Sequence, residues 1–154
     1  MKQVSGLDAQ ELQAWVTFAT ASVLLERVLD QQLRADAGLS HTQYAILARL
    51  SEAADGSMRM LALADAMGIT KSTLTYQIAQ MEKDGLVSRR ACETDDRGVI
   101  AAITSQGMDL LRRAAPGHVA LVSELVIDAF TSQQLAILAD GFAEVRRRIV
   151  ERQG

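Results

Sequence analysis

Apolar positions recur at helical spacing through most of the chain, and capping or turn residues bound each such stretch. Asp8 followed by Glu11 forms a helix N-terminal capping pair. From there to about Ala37 nothing breaks a helix, and Gly38 supplies the left-handed position that ends one. Its apolar residues fall on two faces, Leu12, Trp15, Ala19, Leu29 and Leu33 on one and Phe18, Ala21, Leu25 and Val28 on the other. A surface helix needs one apolar stripe. Two predict burial on both sides, against the helix's own core and against a partner subunit.

Ser40-His41-Thr42-Gln43 is a second capping box, opening a helix to about Ala53 with Tyr44, Leu47 and Leu50 inward. Asp55-Gly56 reads as a turn, Ser57-Met58-Arg59 as a short strand, and Leu61 to Met67 as a short helix ending at Gly68. Thr70 caps a helix from about Lys71 to Lys83 whose inward row is Leu74, Ile78 and Met81, and Asp84-Gly85 stops it. Strand patterns appear over Leu86–Arg90 and Val99–Ile103, and the polar stretch from Glu93 to Gly98 makes them a hairpin. A helix from about Ser105 to Phe130 carries Pro116, which predicts a kink or a break. Thr131-Ser132-Gln133-Gln134 is a third capping box. Beyond it Leu135, Leu138, Phe142, Val145 and Ile149 form a heptad-like seam for another helix.

Composition narrows the class. A chain of 154 residues fits one domain, and 49% apolar residues with only 4% aromatics favour a core of aliphatic helices. The single cysteine, Cys92, excludes an internal disulfide and a cysteine-rich zinc module. No apolar run approaches the roughly 18–20 residues needed to cross a bilayer. Residues 1–6 carry no signal-peptide pattern, so a cytoplasmic protein without a membrane partner is expected. The net charge of −3 argues against nucleic-acid binding, so basic residues would have to be concentrated locally.

The segment from Leu63 to Ile103 has the order of a winged helix-turn-helix. Ala64 is small enough for two helices to approach, Gly68 supplies the turn and Ile69 fills the angle. Thr70 and the amides of Lys71, Ser72 and Thr73 form a helix N-terminus suited to phosphate. With Leu74, Ile78 and Met81 inward, Ser72, Thr73, Thr75, Tyr76 and Gln80 point outward. Hydroxyls, an amide and a phenol suit base edges in a major groove. Arg89 and Arg90 lead into the hairpin and Arg97 sits at its tip, where cations reach a backbone or minor groove.

Several stretches together resemble the MarR family: Leu63-Ala64, Thr70-Lys71-Ser72-Thr73-Leu74-Thr75, Met81-Glu82-Lys83-Asp84-Gly85-Leu86-Val87 and Asp95-Asp96-Arg97-Gly98, closing with Ile103-Thr104 and Gly107. The resemblance implies a mainly α fold with a small β-hairpin wing. It implies a single MarR-like domain over 1–154, with dimerisation helices at about 8–37 and 105–150 around a lobe at about 40–104. It further implies a homodimer on pseudo-palindromic double-stranded DNA, with Lys71–Lys83 as recognition helix. Arg97 would be the wing's DNA contact and Asp95 would help hold the wing. Release by a small aromatic or anionic ligand is also implied. The chain departs from the family's pattern at Tyr76, where arginine is common, at Gln77, where an inward leucine is usual, and at Leu61, where a capping serine is frequent.

Trp15, Phe18, His41 and Tyr44 are the candidate lining for such a ligand, an apolar floor with two polar groups; plain core and surface roles are the alternative for all four. His41 and His118 are too few for a metal site, no cofactor is implied, and Cys92 reads as a passive thiol. The chain carries no phosphate loop and no nucleophile elbow, so an enzyme is not expected. The competing reading is a helical dimer that keeps the fold and has lost DNA binding, favoured by the net charge and Tyr76.

Overall fold

The computed structural model describes residues 6–94 and 97–154. Contacts group the chain into two compact units, residues 1–116 and 117–154. In the first unit, α1 (Ala9–Ala37), α2 (His41–Glu52), β1 (Ser57–Arg59), α3 (Met60–Met67), α4 (Lys71–Lys83), β2 (Val87–Ala91) and β3 (Val99–Ile103) follow in order. Helix α5 (Ser105–Leu125) straddles the division, and a 3-10 turn at Ile127–Ala129 precedes α6 (Ser132–Gln153).

The helix starts are where the caps place them. Asp8 Oδ1 accepts the Glu11 amide at 2.8 Å while Glu11 Oε2 accepts the Asp8 amide at 2.9 Å. Ser40 with Gln43 and Thr131 with Gln134 close the same reciprocal box on α2 and α6. Helix α1 ends at Gly38 with φ 68°. Pro116 neither ends nor interrupts the assigned helix, which runs on to Leu125 rather than Phe130. A proline removes one amide donor, and the helix tolerates that loss here.

Leu33, Ile46, Leu47, Leu50, Leu63, Leu74, Ile78 and Met81 are fully buried and form one cluster in the first unit. Each such side chain is worth about 1.5–3 kcal/mol relative to exposure, so α1, α2, α3 and α4 are held by a shared aliphatic core. The hairpin gains a third strand. The sheet order is β1-β3-β2, all antiparallel, with Met58 opposite Ala101 and Arg89 opposite Ala101 from the other side.

The root of the hairpin is tied to α5. Thr104 Oγ1 donates to the Gly85 carbonyl at 2.6 Å and accepts the Gly107 amide at 3.0 Å, and the Thr104 amide donates to the Leu86 carbonyl at 3.1 Å. Gly107 must be glycine for this approach: a Cβ there would lie 2.2 Å from the Leu86 carbonyl oxygen.

Large apolar residues remain exposed on the isolated chain. They include Trp15, Val16, Val23 and Leu24 on α1, and Ile137, Phe142, Val145, Ile149 and Val150 on α6. In the second unit Phe130, Ile137, Leu138, Phe142 and Val145 line a shallow apolar groove. Within the chain only Leu29 and Leu33 of α1 are buried, both on the first of its two apolar faces.

Candidate nucleic-acid interface

Helices α3 and α4 meet at a turn that needs three particular residues. Ala64 is 1% exposed, which lets the helices approach closely. Gly68 adopts φ 68°, a left-handed conformation that other residues rarely take. Ile69 is half-buried in the angle, and its amide donates to the Ala64 carbonyl. Thr70 then caps α4, its Oγ1 accepting the Thr73 amide at 3.1 Å.

The phase of α4 follows from its buried row. Leu74, Ile78 and Met81 are each 0% exposed, which turns Lys71, Ser72, Thr73, Thr75 and Tyr76 to the surface. Tyr76 is 63% exposed despite its ring. Gln80, expected to face outward, is half-buried at the flank of the row, and Gln77 is half-buried too.

The two arginines of β2 do different things. Successive strand residues point to opposite faces, and Arg89 turns towards α4. Its amide and guanidinium donate to the two oxygens of Glu82, each at 3.0 Å. The hydrogen bond from Arg89 holds the Glu82 carboxyl below the usual carboxylate range. Arg89 is thus a strut between the end of α4 and the wing, with its charge already answered. Arg90 takes the opposite face, in one row with Ile100 and Arg59.

Arg97 is exposed beside Gly98 at the hairpin end, and Asp95 lies outside the described residues. Arg59 reaches across to the wing, donating to Thr94 Oγ1 at 2.7 Å, and the Thr94 hydroxyl lies 3.2 Å from Cys92 Sγ.

Charge is not concentrated in this lobe as a whole. From residue 40 to 104 the sequence holds seven Lys and Arg against eight Asp and Glu. Lys71 at the start of α4, Arg90 on β2 and Arg97 at the hairpin end are exposed cations of the lobe, while Arg89 is paired with Glu82.

The fold matches a solved structure of Sco3205, a MarR family transcriptional regulator from Streptomyces coelicolor, in complex with DNA. The two share 40% identity over 90% of this chain and 87% of that one, with a TM-score of 0.87. The chain belongs to the MarR family. The family's sequence pattern matches residues 39–99 of this MarR chain. AbsC, another MarR regulator from Streptomyces coelicolor, is 36% identical over 94% of this chain and 97% of its own, with a TM-score of 0.89. The transcriptional repressor YetL of Bacillus subtilis is 29% identical over 122 residues, 79% of this chain and 72% of the repressor. The protein is a transcriptional regulator of the MarR kind.

The four residues proposed for a ligand are not drawn together within one MarR chain. Trp15 and Phe18 form an exposed pair on α1, ring centroids 6.3 Å apart and planes tilted by 47°. His41 Nδ1 lies 2.7 Å from Glu26 Oε2. Phe18 and Glu26 are eight residues apart, about 12 Å along α1 at 1.5 Å per residue. Tyr44 belongs to the core at 8% exposure, and burial raises its phenol pKa. Neither the groove on α6 nor a polar concavity between Ser51 and Arg112 is lined by any of the four. Glu82 and Arg59 are the positioning residues that sequence reasoning missed; both act through partners on other elements, which no local spacing reveals.

Proposed function

We propose that this regulator binds double-stranded DNA as a homodimer at a pseudo-palindromic operator, with α4 in the major groove and the β2–β3 wing along the backbone. The observation that carries the reading is the outer face of α4. Lys71, Ser72, Thr73, Thr75 and Tyr76 are exposed on a helix whose inner row is completely buried, and the related Sco3205 was solved with DNA. The core fixes that helix, so its polar face is presented ready-formed. Arg90 and Arg97, with Lys71, supply phosphate contacts; Arg89 holds the wing against α4 through Glu82.

The homodimer reading is supported by the apolar residues that α1 and α6 leave exposed, and such surfaces mark association sites. Helices 8–37 and 105–150 then serve as dimerisation elements of one functional domain. A regulator acting on chromosomal DNA works in the cytoplasm, and no single helix among the described residues is long and apolar enough to cross a membrane.

A mobility-shift assay at low salt, with fragments of the protein's own upstream region, tests the reading. A shifted band that survives non-specific competitor supports it; no band on any fragment favours the helical dimer without DNA binding. Release by a small aromatic or anionic ligand is favoured by the exposed Trp15–Phe18 pair alone. Aromatic acids that neither quench Trp15 nor weaken DNA binding at millimolar concentration exclude that ligand class.

A further inference from the structure

Two threonines on the outer side of α4 present opposite hydrogen-bonding character. The Thr75 hydroxyl donates its proton to the Lys71 carbonyl, one turn back, at 2.8 Å. Threonine in a helix makes this bond readily, because its Oγ1 lies within reach of the i−4 carbonyl. A hydroxyl carries one donor and two acceptor lone pairs. Exposed Thr75 therefore meets its surroundings with acceptor lone pairs and a methyl group only. At Thr73 the roles are reversed. Its Oγ1 accepts the proton of the Thr70 hydroxyl at 2.8 Å, and its own proton is not committed to another described residue. At 3.6 residues per turn, Thr73 and Thr75 lie on opposite flanks of the outward line through Ser72 and Tyr76.

We propose that Thr75 is a specificity-determining residue that accepts a hydrogen bond from an exocyclic amine on a base edge. One position in each half-site must then carry adenine or cytosine on the strand that Thr75 faces. The inference rests on α4 being the recognition helix. In the major groove adenine offers its N6 amine and cytosine its N4 amine, whereas guanine O6 and thymine O4 are acceptors. Facing guanine or thymine, Thr75 must either leave two acceptors desolvated against each other or turn its proton outward and forfeit the bond to Lys71. An unmatched polar pair of this kind costs more than a matched one returns. Thr73, as the donor, gives the contrasting case: it is satisfied by any base edge with an acceptor, and in the major groove only cytosine lacks one.

Selection of binding sites from random duplexes, using the whole wild-type protein and the variants Thr75→Val, Thr75→Ser and Tyr76→Ala, tests this. Valine keeps the shape of threonine and removes the oxygen; serine keeps the oxygen. The wild type should enrich adenine or cytosine over guanine or thymine at one base of each half-site by about three- to tenfold, the worth of one neutral hydrogen bond. Thr75→Val should level that preference and Thr75→Ser should retain it. Tyr76→Ala should change the profile at a different base. The inference alone is overturned if Thr75→Val selects the wild-type profile while Tyr76→Ala changes it, or if the preference that valine levels is for guanine or thymine. If neither variant changes the profile, α4 does not read the bases, and the inference falls together with the recognition-helix reading beneath it.

Discussion

Replacing Gly107 with alanine tests how the wing is anchored. The new Cβ would stand 2.2 Å from the Leu86 carbonyl oxygen and 3.0 Å from Ile103 Cγ1. Reaching even 3.0 Å from that oxygen requires a displacement of about 0.8 Å, and the obstacle is backbone that cannot swing aside. The same carbonyl accepts the Thr104 amide at 3.1 Å, so separating α5 from the root of β2 stretches the bond that closes the hairpin. Overpacking of this kind costs about 3 kcal/mol at the upper end of its range. The higher helix propensity of alanine returns about 1 kcal/mol. A net loss of about 2 kcal/mol corresponds to a fall in Tm of about 4–8 °C for a chain of this size. Thermal unfolding followed by circular dichroism, at fixed protomer concentration because association shifts Tm, measures it. Weaker DNA binding should accompany the fall, since the wing moves with its root. An unchanged or raised Tm would refute the close approach at Leu86.

The Glu82–Arg89 strut predicts a carboxyl that titrates below its ordinary pKa of 4.5. A depressed folded-state value means that the strut's contribution is present above about pH 4.5 and is lost as pH falls through the lower folded value. Following the Glu82 side-chain carbon by NMR should show the depressed midpoint in the wild type and a return to near the ordinary value in Arg89→Ala; equal midpoints would remove the strut. On α6, Phe142→Asp should place a charge in the apolar groove and shift the protein towards monomer. Light scattering at micromolar concentration that found wild type and variant equally dimeric would exclude this face as the interface.

How much was legible in the sequence depended on the range of the signal. The three capping boxes, the turn at Gly68 and the inward row Leu74, Ile78 and Met81 are written within a few residues of one another, and the structure has each in place. The outward phase of Tyr76 follows from that row. What could not be read needed a partner from elsewhere. Arg89 looked like a phosphate contact because nothing local reveals that β2 returns beside the end of α4, within reach of Glu82. The pairing of β1 with β3 joins residues more than 40 positions apart and was likewise hidden. Tyr44 shows a different limit. An inward phase fits both a core residue and a pocket wall, and only the packed cluster assigns it to the core. Trp15 and Phe18 are exposed on the isolated chain, and no spacing along α1 says what would cover them.

The salt dependence of operator binding, measured by fluorescence anisotropy, tests the central claim most directly. On the proposed reading, Lys71, Arg90 and Arg97 would give about three phosphate contacts per subunit and about six per dimer. At about 0.9 per contact the slope of log affinity against log salt should be near −5, and Arg97→Ala should reduce its magnitude by about 2 without changing the preferred bases. A slope near zero, or no binding at about 50 mM salt, would contradict the assignment of α4 and the wing as a DNA-binding surface.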